Sequence, residues 1–433
     1  MQDIALLAAL IGGYGLVSER LAKFWITAPM AFVAGGIAFG DAGLAVFDLD
    51  IENESVALLA EATLVLVLFA DATRIDIMRL RSGYRLPARL LLIGFPLTVL
   101  AGLGLAWLVL DSLSWQEAGL VAAVLAPTDA ALGAAVVNDE RLPVRIRQGL
   151  NVESGLNDGL AVPVVTVFLA LVVAEETGGG QTDWVEFVAE QIGYGTLIGV
   201  SVGCVGGISL RWADSRGWVE GVYRQLSTLS IAVGAFALAG TIDGNGFVAA
   251  FTAGLAFSQV ARELCGGVQD FTIDEGELLA GLTFIVFGAV LGGPAINELT
   301  WQIALYVVLS LTVVRMVPVA VSMIGAGTRR ETVLFLGWFG PRGLASIVFG
   351  LLVLEETDSS STRLMFVVVA WTVLVSVIAH GISAAPWSGR LAAELDTAAQ
   401  DDPSMPEHVS VAEMPLRGGG MSRLPHVRHR RDG

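Results

Sequence analysis

Lysine, histidine and cysteine are almost missing from this chain. Its 433 residues include 2 Cys and 4 His, and Lys23 is the one lysine among 25 basic residues. Cys204 and Cys265 fall in different apolar segments, which excludes a disulfide framework and a thiolate metal site. Both are read as structural. Charge of either sign is scarce, at 15% of residues, whereas 54% are hydrophobic and the mean hydropathy is +0.69. A soluble domain would not carry so many apolar runs. The N-terminus, Met1-Gln2-Asp3-Ile4, lacks the basic region and small-residue cleavage site of a signal peptide, so the first apolar stretch is expected to stay as a helix. The net charge of −17 fits a salt-adapted surface. It also fits cation attraction at a pore mouth. The preference for Arg over Lys fits a GC-rich genome.

About 20 apolar residues span a bilayer as a helix, and runs of that length come one after another almost end to end. The expected fold class is an all-α polytopic membrane protein. The 51 glycines suit helices that pack closely in lipid. Hydropathy suggests about 13 crossings. Their expected spans are 3–18, 24–41, 53–73, 87–110, 115–137, 147–174, 185–210, 222–241, 244–260, 274–292, 299–325, 331–354 and 362–384.

Loop charge bears on that count. Alternate loops hold Arg20 and Lys23; Arg74, Arg79, Arg81 and Arg85; Arg141 and Arg145; Arg211, Arg216 and Arg224; Arg262; and Arg329 with Arg330. The loops between them are acidic, and Arg363 is their one basic residue. The asymmetry obeys the positive-inside rule and puts the N-terminus outside and the C-terminus in the cytoplasm. From residue 385 to 433 the chain turns polar and is expected to be a short disordered cytoplasmic tail. Its basic end, His426 to Arg431, is read as solvated or as touching anionic headgroups.

Carboxylates at bilayer depth are costly and mark function by default. Asp129 comes directly after Pro127 and Thr128 in the fifth crossing. Pro127 removes a backbone donor and should break the helix near Leu125–Thr128, with Thr128 or Asp129 capping the second half-helix. Broken backbone at membrane depth survives where it lines a cavity or is buried in protein. In the sixth crossing Ser154 and Asp158 are four apart and share one helix face, while Glu153 and Asn157 share the next. Hydroxyl, carboxylate and amide oxygens of this kind suit a small hard cation. Glu153 needs a counter-charge, and Arg315 and Arg342 are two candidates inside apolar runs. A second Gly/Pro-interrupted segment, Gly337 to Ser346, lies about two hundred residues after the first, as in transporters built from inverted repeats. Asp71 faces the same cavity or pairs with Arg74 or Arg79, and Glu61 is a further candidate. The lone His380 is read as a structural hydrogen-bonder rather than a proton relay.

Ala126-Pro127-Thr128-Asp129, Glu153-Ser154 with Leu156-Asn157-Asp158-Gly159, and Gly337-Trp338 with Gly340-Pro341-Arg342-Gly343 resemble the NhaP/NHE branch of the monovalent cation–proton antiporters. The resemblance runs from about residue 5 to 384. It departs at Gly155, where a bulkier apolar residue is usual. It implies 13 crossings in two inverted six-helix repeats with crossed discontinuous helices, and a homodimer. Core helices would cover about 87–174 and 299–384, dimerisation helices about 3–73 and 222–292, and a linker helix about 185–210. The resemblance implies that Asp158 is shared by cation and proton, and that Asn157 marks an electroneutral exchanger. It puts Thr128, Asp129 and Ser154 near the ion, with Asp158, Ser154 and Thr128 holding Na⁺. Asp71 would approach from the other domain. Glu153 with Arg315 would be an internal ion pair, and Arg342 a second buried structural Arg.

A buried carboxylate binds a proton more tightly than one in water, and a nearby cation displaces that proton. The expected activity is therefore exchange of Na⁺ or Li⁺ for H⁺ across the cell membrane, with K⁺/H⁺ exchange as the alternative. The partners are the ions, the bilayer and a second copy, with no nucleic acid and no cofactor. A cation channel with an acidic filter is the rival from another class. Intramembrane hydrolysis by an Asp129–Asp158 dyad fits poorly with Asn157 and the Arg partners, and no enzyme is expected.

Overall fold

The computed structural model describes residues 2–47, 54–75, 85–177, 183–357, 361–401, 405–409 and 411. Every regular element among them is helical. In chain order these are α1 Gln2–Ala22, α2 Ala28–Phe39, α3 Glu54–Thr73, α4 Arg85–Val109, α5 Trp115–Val124, α6 Ala130–Val137, α7 Val144–Thr177 and α8 Asp183–Ser215. They continue with α9 Gly221–Gly240, α10 Gly246–Val260, α11 Arg262–Val286, α12 Trp301–Ser322, α13 Arg330–Trp338, α14 Leu344–Glu356 and α15 Thr362–Asp401. Among the described residues, 8 helical stretches are long and apolar enough to cross a membrane. Arg79 and Arg81, like the basic end of the chain, lie outside the described residues.

Proline shapes the helices that are not straight. Three wide, π-helical turns occur, at Leu90–Gly94, Phe287–Gly292 and Ser310–Val314. Each contains the carbonyl four residues before a proline, namely Pro96, Pro294 and Pro318. That carbonyl would clash with the proline ring in a regular helix, and the wider turn relieves it. Pro127 and Pro341 act more drastically. The chain leaves helical geometry between α5 and α6 and again between α13 and α14. The first break falls where Pro127 puts it.

Small residues set the closest approaches. On α8, Gly195, Gly199 and Gly203 recur every fourth residue and lie against α10. A Cβ on Gly203 would meet Ala253 Cα at 2.8 Å and overlap its carbonyl. Without side chains on that face the two backbones touch, which is how helices gain dispersion energy in lipid. One large apolar cluster joins α3, α5, α7, α10, α11, α14 and α15. A second lies at the end of the bundle where α7 begins, around Leu86, Ile146, Phe335, Phe339 and Leu391.

The segment expected at 274–292 overlaps an apolar stretch, Gly276–Glu298, that is long enough to cross a membrane, although its helix already starts at Arg262. One expectation needs correction. The disordered tail expected from residue 385 does not begin there, because α15 runs on to Asp401. Leu391, Ala392 and Leu395 are buried in the second cluster. They give this stretch an apolar face, so it folds onto protein although its mean hydropathy is low.

Candidate ion-binding site

The two breaks meet. Asp129 N donates to Pro341 O at 2.7 Å, which joins the non-helical stretches of the two breaks. Asp129 is the N-cap of α6, and its Oδ1 accepts from Ala131 N at 2.7 Å and Leu132 N at 3.2 Å. Its Oδ2 accepts from Leu344 N, the first residue of α14, at 2.6 Å. One carboxylate thus serves the amino ends of two half-helices, where unpaired N–H groups and positive dipole ends gather. Gly343 makes room for it, since a Cβ there would overlap Asp129 Oδ2.

The carboxyl ends of the half-helices receive side-chain donors. Arg342 is fully buried, and its Nη1 donates to Ala126 O and, at 3.0 Å, to Pro127 O. Ser346 Oγ donates to Val124 O at 2.8 Å. Arg342 is held in turn by its own N–H on Ser376 Oγ at 2.6 Å. Nε and Nη2 of Arg342 have no hydrogen-bond partner among the described residues. The carbonyls after α5 carry the partial negative charge of a helix end, so Arg342 needs no carboxylate to sit here. At the end of α13, Arg315 Nη2 lies 3.4 Å from Leu336 O, and His380 Nε2 lies 2.9 Å from Trp338 O.

Arg315 is the partner of Glu153. Nη1 meets Oε1 at 2.6 Å and Nη2 meets Oε2 at 2.9 Å, with both side chains almost wholly buried. The planar guanidinium matches the carboxylate in a two-point pair, the strongest form of this bond. A Cβ on Gly340 would collide with the Arg315 guanidinium.

On the other side of the meeting point, α7 presents the oxygen-rich face. Ser154 Oγ donates to Thr128 O at 2.5 Å. Asn157 Nδ2 donates to Thr128 Oγ1 at 2.7 Å, and Asn157 Oδ1 accepts from Thr128 N at 3.3 Å. Thr128 is therefore held on three atoms by α7. Asp158 is 3% exposed and lies one turn beyond Ser154 on the same face. Asp71, in the last turn of α3, is 2% exposed and pairs with Arg74 at 3.3 Å. It also packs on α7, because a Cβ at Gly155 would lie 3.5 Å from Asp71 Cβ.

Two small cavities open beside these groups. One is lined by Asp71, Arg74, Asn151 and Gly155. The other is lined by Thr128, Asp129, Asn151 and Ser154. Ala130 and Asn151 line both. Sequence reasoning misses Asn151, although Asn151, Ser154 and Asp158 at i, i+3 and i+7 trace one helical face. Glu61 is not part of this set. It lies about 15 Å before Asp71 along α3, and its charged neighbours are Glu355 and Glu356. Among the described residues no group of three or more His, Cys, Asp or Glu could hold a metal ion. The ligands on offer for a cation are mixed hydroxyl, carbonyl and carboxylate oxygens.

Outside the apolar helices, Asp139 sits in the turn between α6 and α7. Arg141 holds its carboxyl below the usual aspartate range, chiefly by side-chain hydrogen bonds at 2.9 and 2.7 Å.

Comparison with known proteins agrees with this geometry. Residues 6–389 match the family described as "Sodium/hydrogen exchanger, transmembrane". The K⁺/H⁺ antiporter NhaP of Alkalimonas amylolytica is 27% identical over 438 residues, covering 96% of this chain and 74% of that protein. A probable Na⁺/H⁺ antiporter of Schizosaccharomyces pombe is 25% identical over 87% of this chain, which spans 55% of that protein's length. The Na⁺/H⁺ antiporter ApNhaP of Aphanothece halophytica is 26% identical over 77% of this chain and 65% of that protein. In fold, the chain resembles the solved sodium proton antiporter MjNhaP1 of Methanocaldococcus jannaschii. The TM-score is 0.74 with 18% identity, over 91% of this chain and 98% of that one.

Proposed function

The chain belongs to the sodium/hydrogen exchanger family, a family of cation/proton antiporters, and we propose that it exchanges Na⁺ or Li⁺ for H⁺, one for one. The observation that carries this is the burial of Asp158 beside Ser154, on a helix whose next polar residue clasps Thr128 at the first break. Asp158, Ser154 and Thr128 would hold the cation, with Asp71 closing the site from α3. Asp158 would carry either the ion or a proton. Competition for one carboxylate then couples the two fluxes with no further cofactor. Asn157 supplies no second charge at the site, which fits electroneutral exchange. Asp129, Glu153, Arg315 and Arg342 would keep the crossing rigid while the loaded site is exposed alternately to each side.

The architecture proposed with it has about 13 crossings in two inverted repeats. Helices at about 87–174 and 299–384 would form a core. Those at about 3–73 and 222–292 would form a dimerisation unit, joined to the core by about 185–210. The protein would be a homodimer in the cell membrane, with the N-terminus outside and the C-terminus in the cytoplasm. K⁺/H⁺ exchange is the second reading, favoured by the similarity to the Alkalimonas K⁺/H⁺ antiporter.

The test uses purified protein in proteoliposomes with an imposed pH gradient and a pH-sensitive dye. Na⁺, Li⁺ and K⁺ are added in turn, with the membrane potential clamped and unclamped. Collapse of the gradient by Na⁺ or Li⁺, insensitive to the clamp and absent in Asp158→Asn, is expected. Collapse by K⁺ alone selects the second reading. Exchange that persists in Asp158→Asn would remove the shared carboxylate from the mechanism.

A further inference from the structure

Glu407 lies in the short segment beyond α15, yet it is 1% exposed. Its Oε1 accepts from Arg329 N at 2.7 Å and from Thr332 Oγ1 at 3.1 Å. Oε2 is buried with no hydrogen-bond partner among the described residues. Arg329 is the N-cap of α13, and its own side chain makes no cap hydrogen bond. The cap comes instead from a residue 78 positions later. Two neighbours hold the segment in place. Arg145, at the start of α7, donates from Nη1 to Pro406 O at 2.5 Å. Met405 is 4% exposed and belongs to the apolar cluster with Phe335 and Ile146.

The physical weight of this contact comes from the length of α13, which has 9 residues. The first four N–H groups and last four carbonyls of any helix lack partners within it. A helix this short depends on what its ends borrow. At its far end α13 borrows from Arg315 and His380. It then runs into the second break, where Pro341 O receives Asp129 N. At its near end a carboxylate sits on the positive end of the helix dipole.

We propose that Met405–Glu407 is an internal cap for α13, and that Glu407 is a positioning residue for the ion site, acting through α13 on the second break. The chain beyond the last apolar helix is then a working part of the transporter, and its release loosens the site. The transport half of this proposal rests on the antiport reading; the capping half does not.

Two measurements on the full-length protein test it. The first is amide hydrogen exchange of residues 330–338. The second is proton flux against Na⁺ and K⁺ concentration in proteoliposomes. In Glu407→Ala, exchange across 330–338 should rise at least tenfold. The KM for the cation should rise several-fold while the maximal rate stays within about twofold. Glu407→Asp should recover part of both. Arg145→Gln, which frees Pro406 and leaves Glu407 intact, should move both in the same direction, and it serves where Glu407→Ala does not fold. Unchanged exchange in both variants overturns the cap. A fall in maximal rate with unchanged KM overturns the link to the site. If the wild-type protein moves no protons with any monovalent cation, the antiport reading fails, and hydrogen exchange alone decides the cap.

Discussion

Asp129 accepts the backbone N–H of Leu344 at 2.6 Å across 215 residues of sequence. Its second oxygen caps α6. The two half-helices that start at the meeting point are thus pinned to a single carboxylate. An aspartate in each helix could cap them separately, but it would let them move separately. The shared group ties the two breaks together. On the proposed function, stability and ion binding draw on different carboxylates, Asp129 for the first and Asp158 for the second.

That division predicts opposite phenotypes. Loss of an N-cap side chain costs about 1 kcal/mol, up to about 2. Asp129→Ala removes two such caps and leaves buried amides unpaired. It should lower the thermal unfolding midpoint in detergent by several degrees. Asp158→Asn should leave that midpoint within about a degree of wild type while abolishing exchange. Thermal melts of both proteins by intrinsic fluorescence decide this. Equal destabilisation of the two would sink the division.

Glu153 and Arg315 should behave as a unit. Removing one partner of a buried pair costs about 3–5 kcal/mol, because the other charge is stranded. Glu153→Leu and Arg315→Met should each abolish folded protein or severely lower its yield. The double variant should be better than the worse single one, since it strands neither charge. A double-mutant cycle on melting temperature checks the coupling. Simple addition of the two effects would mean that the pair is not coupled as its geometry implies.

The glycines around the meeting point should separate into tolerant and intolerant positions. At Gly340 and Gly343 a methyl group would overlap Arg315 and Asp129. Alanine at either should cost stability and transport together. At Gly155 a methyl group would make ordinary contact with Asp71. Gly155→Ala should fold as wild type, although this residue departs from the pattern of the family it resembles. Yield, monodispersity and flux of the three variants give the comparison.

The Asp139–Arg141 contact makes a prediction about pH. The folded carboxyl has its pKa below the ordinary 3.8. Its contribution to stability is therefore complete above that ordinary value, and it is lost as pH falls through the lowered folded value. Between pH 6 and 9 it is constant. Asp139→Asn should leave the shape of the transport–pH curve unchanged over that range. It should flatten the acid limb of melting temperature against pH below about 4. A shift of the transport curve near neutrality would mean that Asp139 acts on the transport cycle itself.

Much of the site is legible residue by residue. Pro127 disturbs its helix by local sterics, which places the first break; that the helix ends there, whereas Pro163 and Pro386 lie inside continuous helices, is decided by tertiary structure. Ser154 and Asp158 share a face because four residues make about one turn. Hydropathy finds the long helices because lipid demands apolar side chains over a known length. It also ends α15 too early. Past residue 384 the apolar residues occupy one face rather than a run, and what that face meets is not written locally. Asn151 was visible in principle, as the earlier member of the Ser154–Asp158 stripe.

What the amino-acid order determined by itself is the class, the points where proline disturbs a helix and the identity of the buried oxygens, each a consequence of one residue or one turn. What only the tertiary structure decided is pairing. Two arginines were candidates for Glu153, and folding brought it Arg315 across 162 residues. Arg342 went to the carbonyls after α5. Asp129 acquired a second helix, and Glu407 a helix 75 residues before it. Every apolar run competes for the same burial, so hydrophobicity does not specify which helices meet. Hydrogen bonds are short and directional. They select their partners only after packing has brought the candidates within about 3 Å.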